Sequence, residues 1–167
     1  KVSRVYLWGC SELTSISLPS TLEEIAEGGF ADCSQLTQIT LPDSLKKIGR
    51  FAFQGCDNIK EITIPTSVRE IGQDAFRSSG IEKLVIKDMA AWCGVKKTGG
   101  FINSNTKVFL NEEEIKDLVV PDGVTIIEPN TFNGFKSIET VYIPESVDSI
   151  GDNAFLGCTN ITKVPEI

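Results

Sequence analysis

The chain has 167 residues, with 23 acidic against 16 basic side chains, a formal net charge of −7 and no histidine. Its 41% hydrophobic and 23% charged content is that of an ordinary folded chain, and a pI near 4.7 argues against a nucleic-acid surface, which needs clustered Lys and Arg. The missing histidine removes Ser–His and Cys–His catalytic pairs, and no run of about 18 apolar residues is present to cross a membrane.

The pattern begins in mid-unit. Alternating Val2, Val5 and Leu7 follow Lys1 directly, with no apolar leader and no cleavage site. Leu7-Trp8-Gly9-Cys10 matches the end of a unit that recurs later, and Ile161-Thr162-Lys163-Val164 matches the start of another. The chain is therefore expected to be a piece of a longer protein. Trp8 falls at a variable place between an apolar residue and Gly9, and is expected on the outside.

The unit is 23 residues long. Pro19, Pro42 and Pro65 keep that interval, as do Phe30, Phe53 and Phe76, and Cys10, Cys33 and Cys56. The interval returns later between Pro121 and Pro144 and between Phe132 and Phe155. Counted from the first apolar residue of a unit, apolar side chains fall at offsets 0, 3, 5, 9, 12, 17 and 20. In the first full copy these are Leu13, Ile16, Leu18, Leu22, Ile25, Phe30 and Cys33. Offsets 3 and 5 are one strand pleat apart, so both side chains face inward. One unit cannot bury its own apolar face, so successive units must stack, with equal offsets forming parallel ladders. A main ladder is expected around offsets 2 to 5 and a shorter second one around offsets 9 to 12. Proline at offset 6 has no N–H for a ladder and should end the strand. Gly49, Gly72 and Gly151, and the glycine before the cysteine, suit tight turns, with positive φ not obligatory at the first of these places because Ala26 and Glu128 also occupy it.

The fourth unit opens on Ile81-Glu82-Lys83-Leu84-Val85-Ile86, but the next matching start is Ile115, 34 residues on. Within the extra length, Asp88 is expected to N-cap a single helical turn through Cys93. Val108-Phe109-Leu110 and Ile115-Lys116-Asp117-Leu118 flank a four-residue loop, Asn111 to Glu114, and predict a hairpin. Trp92 and Phe101 are expected to fill the place of the missing phenylalanine.

The spacing L-x-x-I-x-L-P-x-S-L-x-x-I-G-x-x-A-F-x-G-C resembles the BspA-like leucine-rich repeat, a bacterial cell-surface branch of that superfamily, over residues 7–86 and 115–164. The resemblance implies a single leucine-rich-repeat solenoid over residues 1–167. It would be mainly β, with parallel ladders, short 3₁₀ or helical turns and one irregular insertion at about 87–114. Similar insertions in this family carry a D-x-A-A-W-C-like segment and an Asn-Gly turn, whose glycine place is here Glu112. The resemblance also implies a secreted or cell-surface, non-catalytic binding module for adhesion or macromolecular recognition. Its partner would be a protein or a glycan met on a concave sheet face. A structural spacer within a larger surface protein is the alternative, and a hydrolase ranks last.

Cys10, Cys33, Cys56 and Cys158 share the core offset that other units fill with Ser79 and Phe135, so they are expected to be free buried thiols. With no C-x-x-C spacing and no histidine, neither metal nor cofactor is assigned, and no residue is assigned a catalytic role. Glu23-Glu24 and Glu112-Glu113-Glu114 read as solvated charge runs, and the sequon Asn160-Ile161-Thr162 as chance. Offsets 2 and 4 face away from the core. They supply the candidate binding face: Gln38, Thr40, Glu61, Thr63, Lys83, Asp117, Thr140 and Tyr142. No nucleic acid and no direct membrane insertion are expected.

Overall fold

The computed structural model describes residues 3–163. In chain order the strands are β1 (Arg4–Val5), β2 (Glu24–Ile25), β3 (Lys47–Ile48), β4 (Glu61–Ile64), β5 (Glu70–Ile71) and β6 (Lys83–Ile86). Helix α1 (Met89–Cys93) follows, then β7 (Lys96–Lys97), β8 (Lys107–Leu110), β9 (Glu113–Glu114), β10 (Asp117–Val119), β11 (Ile126–Ile127), β12 (Thr140–Tyr142) and β13 (Ser149–Ile150). The chain winds as a parallel β-solenoid with short hydrogen-bonded turns between its strands.

Both expected ladders form, but their continuity is the reverse of the sequence expectation. The ladder of two-residue strands is the longer one, running β1-β2-β3-β5-β7 in one five-stranded sheet and resuming as β11-β13. The main ladder is broken. It runs β4-β6-β8 in parallel, restarts as the separate pair β10-β12, and in the first two units shrinks to one bridge between Ser15 and Gln38. The short ladder has a charge pattern behind its continuity. Its register aligns Arg4, Glu24, Lys47, Glu70 and Lys96 in one outward column of alternating sign. Arg4 meets Glu24 at 3.3 Å and Lys47 meets Glu70 at 2.9 Å. Facing pairs of opposite charge favour a register, and facing pairs of like charge oppose it.

The inward offsets form one continuous core. Phe30, Phe53 and Phe76 are fully buried and stack at centroid distances of 5.5 and 5.4 Å. The column continues through Trp92 and Phe101, 5.8 Å apart, to Phe135, Phe132 and Phe155. The two rings thus fill the place of the missing phenylalanine. Backbone groups at the turns are satisfied across units. Ser44, Ser67 and Ser146 each donate a hydroxyl to the carbonyl of the preceding unit, at Leu22, Leu45 and Val124.

The recurrent turn glycines have a steric cause. Gly49, Gly72 and Gly151 do not adopt the left-handed turn conformation. They are glycine because the preceding turn passes too close for a side chain. A Cβ at Gly72 would lie 2.4 Å from the Arg50 backbone nitrogen, and one at Gly151 2.4 Å from that of Pro129. The left-handed position lies two residues further on. Gly28, Phe51, Asp74, Asn130 and Asn153 share it, with φ between 54° and 63°. The glycine before the cysteine does behave as expected, with φ of 71° at Gly55 and 80° at Gly157.

Residues 87–114 carry regular elements of their own. Asp88 caps α1 as expected, accepting the Ala91 amide at 2.7 Å. Lys96–Lys97 then adds the fifth rung of the short ladder, and Lys107–Leu110 the third rung of the main one. The hairpin is tighter than the four-residue loop expected. Leu110 faces Glu113, so Asn111 and Glu112 alone make the turn. Asn111 takes φ 56°, which a two-residue hairpin turn requires and asparagine tolerates.

Candidate functional site

The eight candidate residues do share the solvent side of the main ladder, but the breaks divide them. Register places Glu61, Lys83 and Lys107 in one column, and Thr63, Val85 and Phe109 in the next. Lys83 pairs with Glu61 at 3.2 Å and lies 5.0 Å from the centroid of Phe109. Val85 is buried on this side, not open. Gln38 and Thr40 lie beyond the first break. There Thr40, Glu61 and Thr63 line a groove of about 300 Å³ that is bounded by Pro65 and Lys87. Asp117, Thr140 and Tyr142 belong to the separate pair, where Asp117 accepts the Thr140 hydroxyl and Val119 stands opposite Tyr142. Val119 and Tyr142 are about half exposed, at 57% and 49%.

Lys107 and Phe109 are face residues that the sequence reading missed. It treated Val108-Phe109-Leu110 only as a hairpin arm, although Val108 and Leu110 have the two-residue apolar alternation of the other rungs. Lys87, at the groove edge, lies outside the repeat offsets and gave no signal.

Before the first full unit, Tyr6 and Trp8 are 57% and 61% exposed, as the outward reading of Trp8 requires. The Trp8 indole donates to Asp32 at 2.9 Å. Nearby Phe51 carries a bulky side chain at φ 54°, with the Arg50 guanidinium 5.0 Å from its ring centroid.

The thiols are packing groups. All five cysteines are free. Cys33, Cys56 and Cys158 donate to the carbonyls of Leu7, Phe30 and Phe132, one unit back, at 3.0–3.2 Å. Burial pushes the Cys56 thiol up to about 12, and those of Cys93 and Cys158 to about 11. Such groups are protonated at neutral pH and poor nucleophiles.

One buried cation stands at the junction after α1. Lys97 is 4% exposed, and its ammonium donates to the carbonyls of Val95 at 2.8 Å and Trp92 at 3.1 Å. It lies 4.3 Å from the Trp92 ring centroid, while the Trp92 indole donates to Thr131 at 3.0 Å. Burial lowers its pKa to about 7, against the raising influence of Cys93 and Glu128. These groups tie α1 to the unit beginning at Ile115. The Lys97 ammonium is thus enclosed by main-chain carbonyls and the Trp92 ring.

The folded chain is similar to a leucine-rich repeat protein from Bacteroides ovatus, with a TM-score of 0.62 and 28% identity, over 99% of this chain and 41% of that one. The leucine-rich repeat protein of T. pallidum gives 0.61 at 27% identity, over 96% and 72%. The pneumococcal vaccine antigen PcpA shares the fold, at 0.53 and 18% identity, over 88% of this chain and 38% of its own. The chain therefore spans about two fifths of the Bacteroides protein. No curated protein sequence matches it. Among the described residues no helix is long and apolar enough to cross a membrane. The BspA type leucine-rich repeat region matches in six copies over residues 3–93 and 102–165, so the chain belongs to that family.

Proposed function

We propose that residues 1–167 act as one non-catalytic recognition solenoid of a secreted or cell-surface protein. It engages a partner protein through the concave, solvent side of its main ladder. The observation that carries this reading is the composition of that side. Exposed Tyr142 and Val119 stand among polar and charged residues, with Thr40, Glu61 and Thr63 lining a groove of about 300 Å³. An exposed tyrosine with an apolar neighbour and a polar surround is the usual make-up of a protein-binding hot spot. The core-facing positions are committed to packing, and the buried thiols are unreactive, which supports a binding role over catalysis.

The test is a pull-down and biosensor screen of this chain against extracellular matrix proteins and glycans. It is repeated with Glu61→Lys and Tyr142→Ala. Both positions are solvent-facing, so both variants should melt as the parent does. A partner lost by about tenfold or more in either variant supports the reading. A partner bound equally by both variants moves the site elsewhere. Capture by glycans alone replaces the protein partner with a carbohydrate.

A further inference from the structure

The break in the main ladder between β8 and β10 leaves a notch with unpaired main chain on both sides. β9 is the terminal strand of its sheet, and β10 pairs only with β12. Register and bonds fix which groups are free. Thr140 donates to the Lys116 carbonyl at 3.2 Å and Val120 to that of Tyr142 at 3.0 Å. With Asp117 opposite Thr140 and Val119 opposite Tyr142, alternation turns the N–H and C=O of Leu118 toward β12. The N–H and C=O groups of Asp117 and Val119 then face the opposite way, where no described strand pairs with them. On the hairpin, Ile115 donates to Val108 at 2.9 Å and Phe109 faces Glu114. The same alternation turns the main-chain groups of Glu114 outward.

The two strands diverge from the Ile115–Lys116 corner around a space of about 400 Å³. Buried Met89 and Ile115 and half-buried Leu110 provide its apolar lining. Glu113, Glu114 and Asp117 stand around it with Lys116, and the Glu114 carboxylate is already paired with Lys107 at 3.3 Å. The remaining charge is therefore net acidic. An occupant must supply main-chain donors and acceptors at strand spacing, alternate apolar side chains toward Met89, and positive charge toward Asp117. Only an extended peptide meets all three demands at once.

We propose that this notch accepts an extended, Lys- or Arg-bearing segment of a partner protein as an added strand on the free edge of β10. Such a strand completes the broken ladder and matches the charge of the rim. The site is separate from the Thr40–Glu61 groove and does not depend on it.

The probe is a capped hexapeptide alternating valine and lysine, titrated into the ¹⁵N-labelled chain. The expected result is amide shifts confined to Met89, Leu110 and residues 113–119, with slowed hydrogen exchange at Asp117 and Val119. Methylating the peptide nitrogens that face β10 should weaken binding by about tenfold or more, because each removed donor leaves a main-chain acceptor unmet. Replacing lysine by glutamate should do the same. Val119→Pro removes an outward N–H while sparing the β12 ladder, and should abolish the exchange protection that Val119→Ala retains. If Val119→Pro fails to fold, the methylated peptide on the parent chain still decides. Glu61→Lys should leave peptide binding unchanged, and a loss there places the peptide on the open face instead. Shifts mapping elsewhere, equal binding of the methylated or glutamate peptide, or no shift at millimolar peptide would overturn the proposal.

Discussion

Lys97 offers a sharp test because burial brings its pKa down to about 7. The chain has no histidine. The ammonium faces the Trp92 ring and the carbonyls of Trp92 and Val95, with Thr131, Cys93 and Glu128 around it. Burial takes its pKa from 10.5 to about 7. Between those values the unfolded chain holds a proton that the folded chain does not. Stability must therefore rise with pH across that window, and be lost as pH falls through about 7. The limiting slope is about 1.4 kcal/mol per pH unit, so from about pH 7 to about pH 8.5 the gain is roughly 1.5 kcal/mol. Above that the thiols act in the opposite sense. Cys56, Cys93 and Cys158 have folded pKa values of about 12, 11 and 11, above those of free thiols. Their contribution is complete below about pH 8.5 and declines as pH rises beyond it. The assay is urea unfolding at half-unit pH steps across the lower window, for the parent chain and for Lys97→Met. Absolute stability is not the readout, because the variant leaves the Val95 and Trp92 carbonyls without their donor, at about 1–3 kcal/mol. The readout is the difference in slope, in which the terminal amine cancels. Parallel pH curves would refute the reasoning.

Three further outcomes follow from particular contacts. Gly72→Ala should cost more than about 3 kcal/mol in urea unfolding, because its Cβ would meet backbone atoms at 2.4–2.8 Å, whereas Gly123→Ala, in open space at φ 87°, should cost about 1 kcal/mol. Equal costs would mean that the turns can separate freely. At the left-handed position 51, Phe51→Asn should be about 1 kcal/mol more stable than Phe51→Ala, since both lose the ring and only asparagine tolerates φ 54° well. Lys47→Glu puts three carboxylates in one column, with Glu24 and Glu70, and should lower the unfolding free energy by about 1 kcal/mol at low salt and by less in molar salt. A salt-independent loss there would point to packing instead of charge.

What the sequence made legible was the set of residues that every unit repeats. Phe30, Phe53 and Phe76 recur at one interval because their rings stack, and the interval alone placed them in the core. Trp92 and Phe101 were readable for the same reason, since a missing ring leaves a volume that something must fill. Where an interval could arise from two causes, the sequence left the cause open. Gly49 and Gly72 recur as turn glycines would, yet a close-passing backbone demands the same absence of a side chain. The conformational demand sits two residues on, where Gly28, Phe51, Asp74 and Asn130 share no chemistry beyond tolerance of positive φ, apart from Phe51. The alternating column of Glu24, Lys47 and Glu70 was present in the text at the repeat interval. It escaped notice because a search for apolar periodicity does not register charge. The candidate face was found by parity, but its division could not be, because the break between β8 and β10 depends on where the hairpin strand β9 lies.

That division bears on where a partner can bind. The short ladder is closed to new strands from β2 to β5, where each rung is bonded on both sides, and its outward charges largely neutralise one another. The turns are fixed by left-handed residues and by side chains bonding back to the preceding unit. The side of the main ladder is different, because its breaks expose both side chains and main chain. A regular sheet gives a ligand only side chains to grip, and its affinity then rests on a few anchors. A broken one also presents N–H and C=O groups already held at strand geometry, so their ordering entropy is met by the fold before any partner arrives. Partners should therefore concentrate at the Thr40–Glu61 groove and the Asp117–Val119 edge. The continuous β4-β6-β8 stretch between them, with its Glu61–Lys83 pair already satisfied, should contribute register more than affinity.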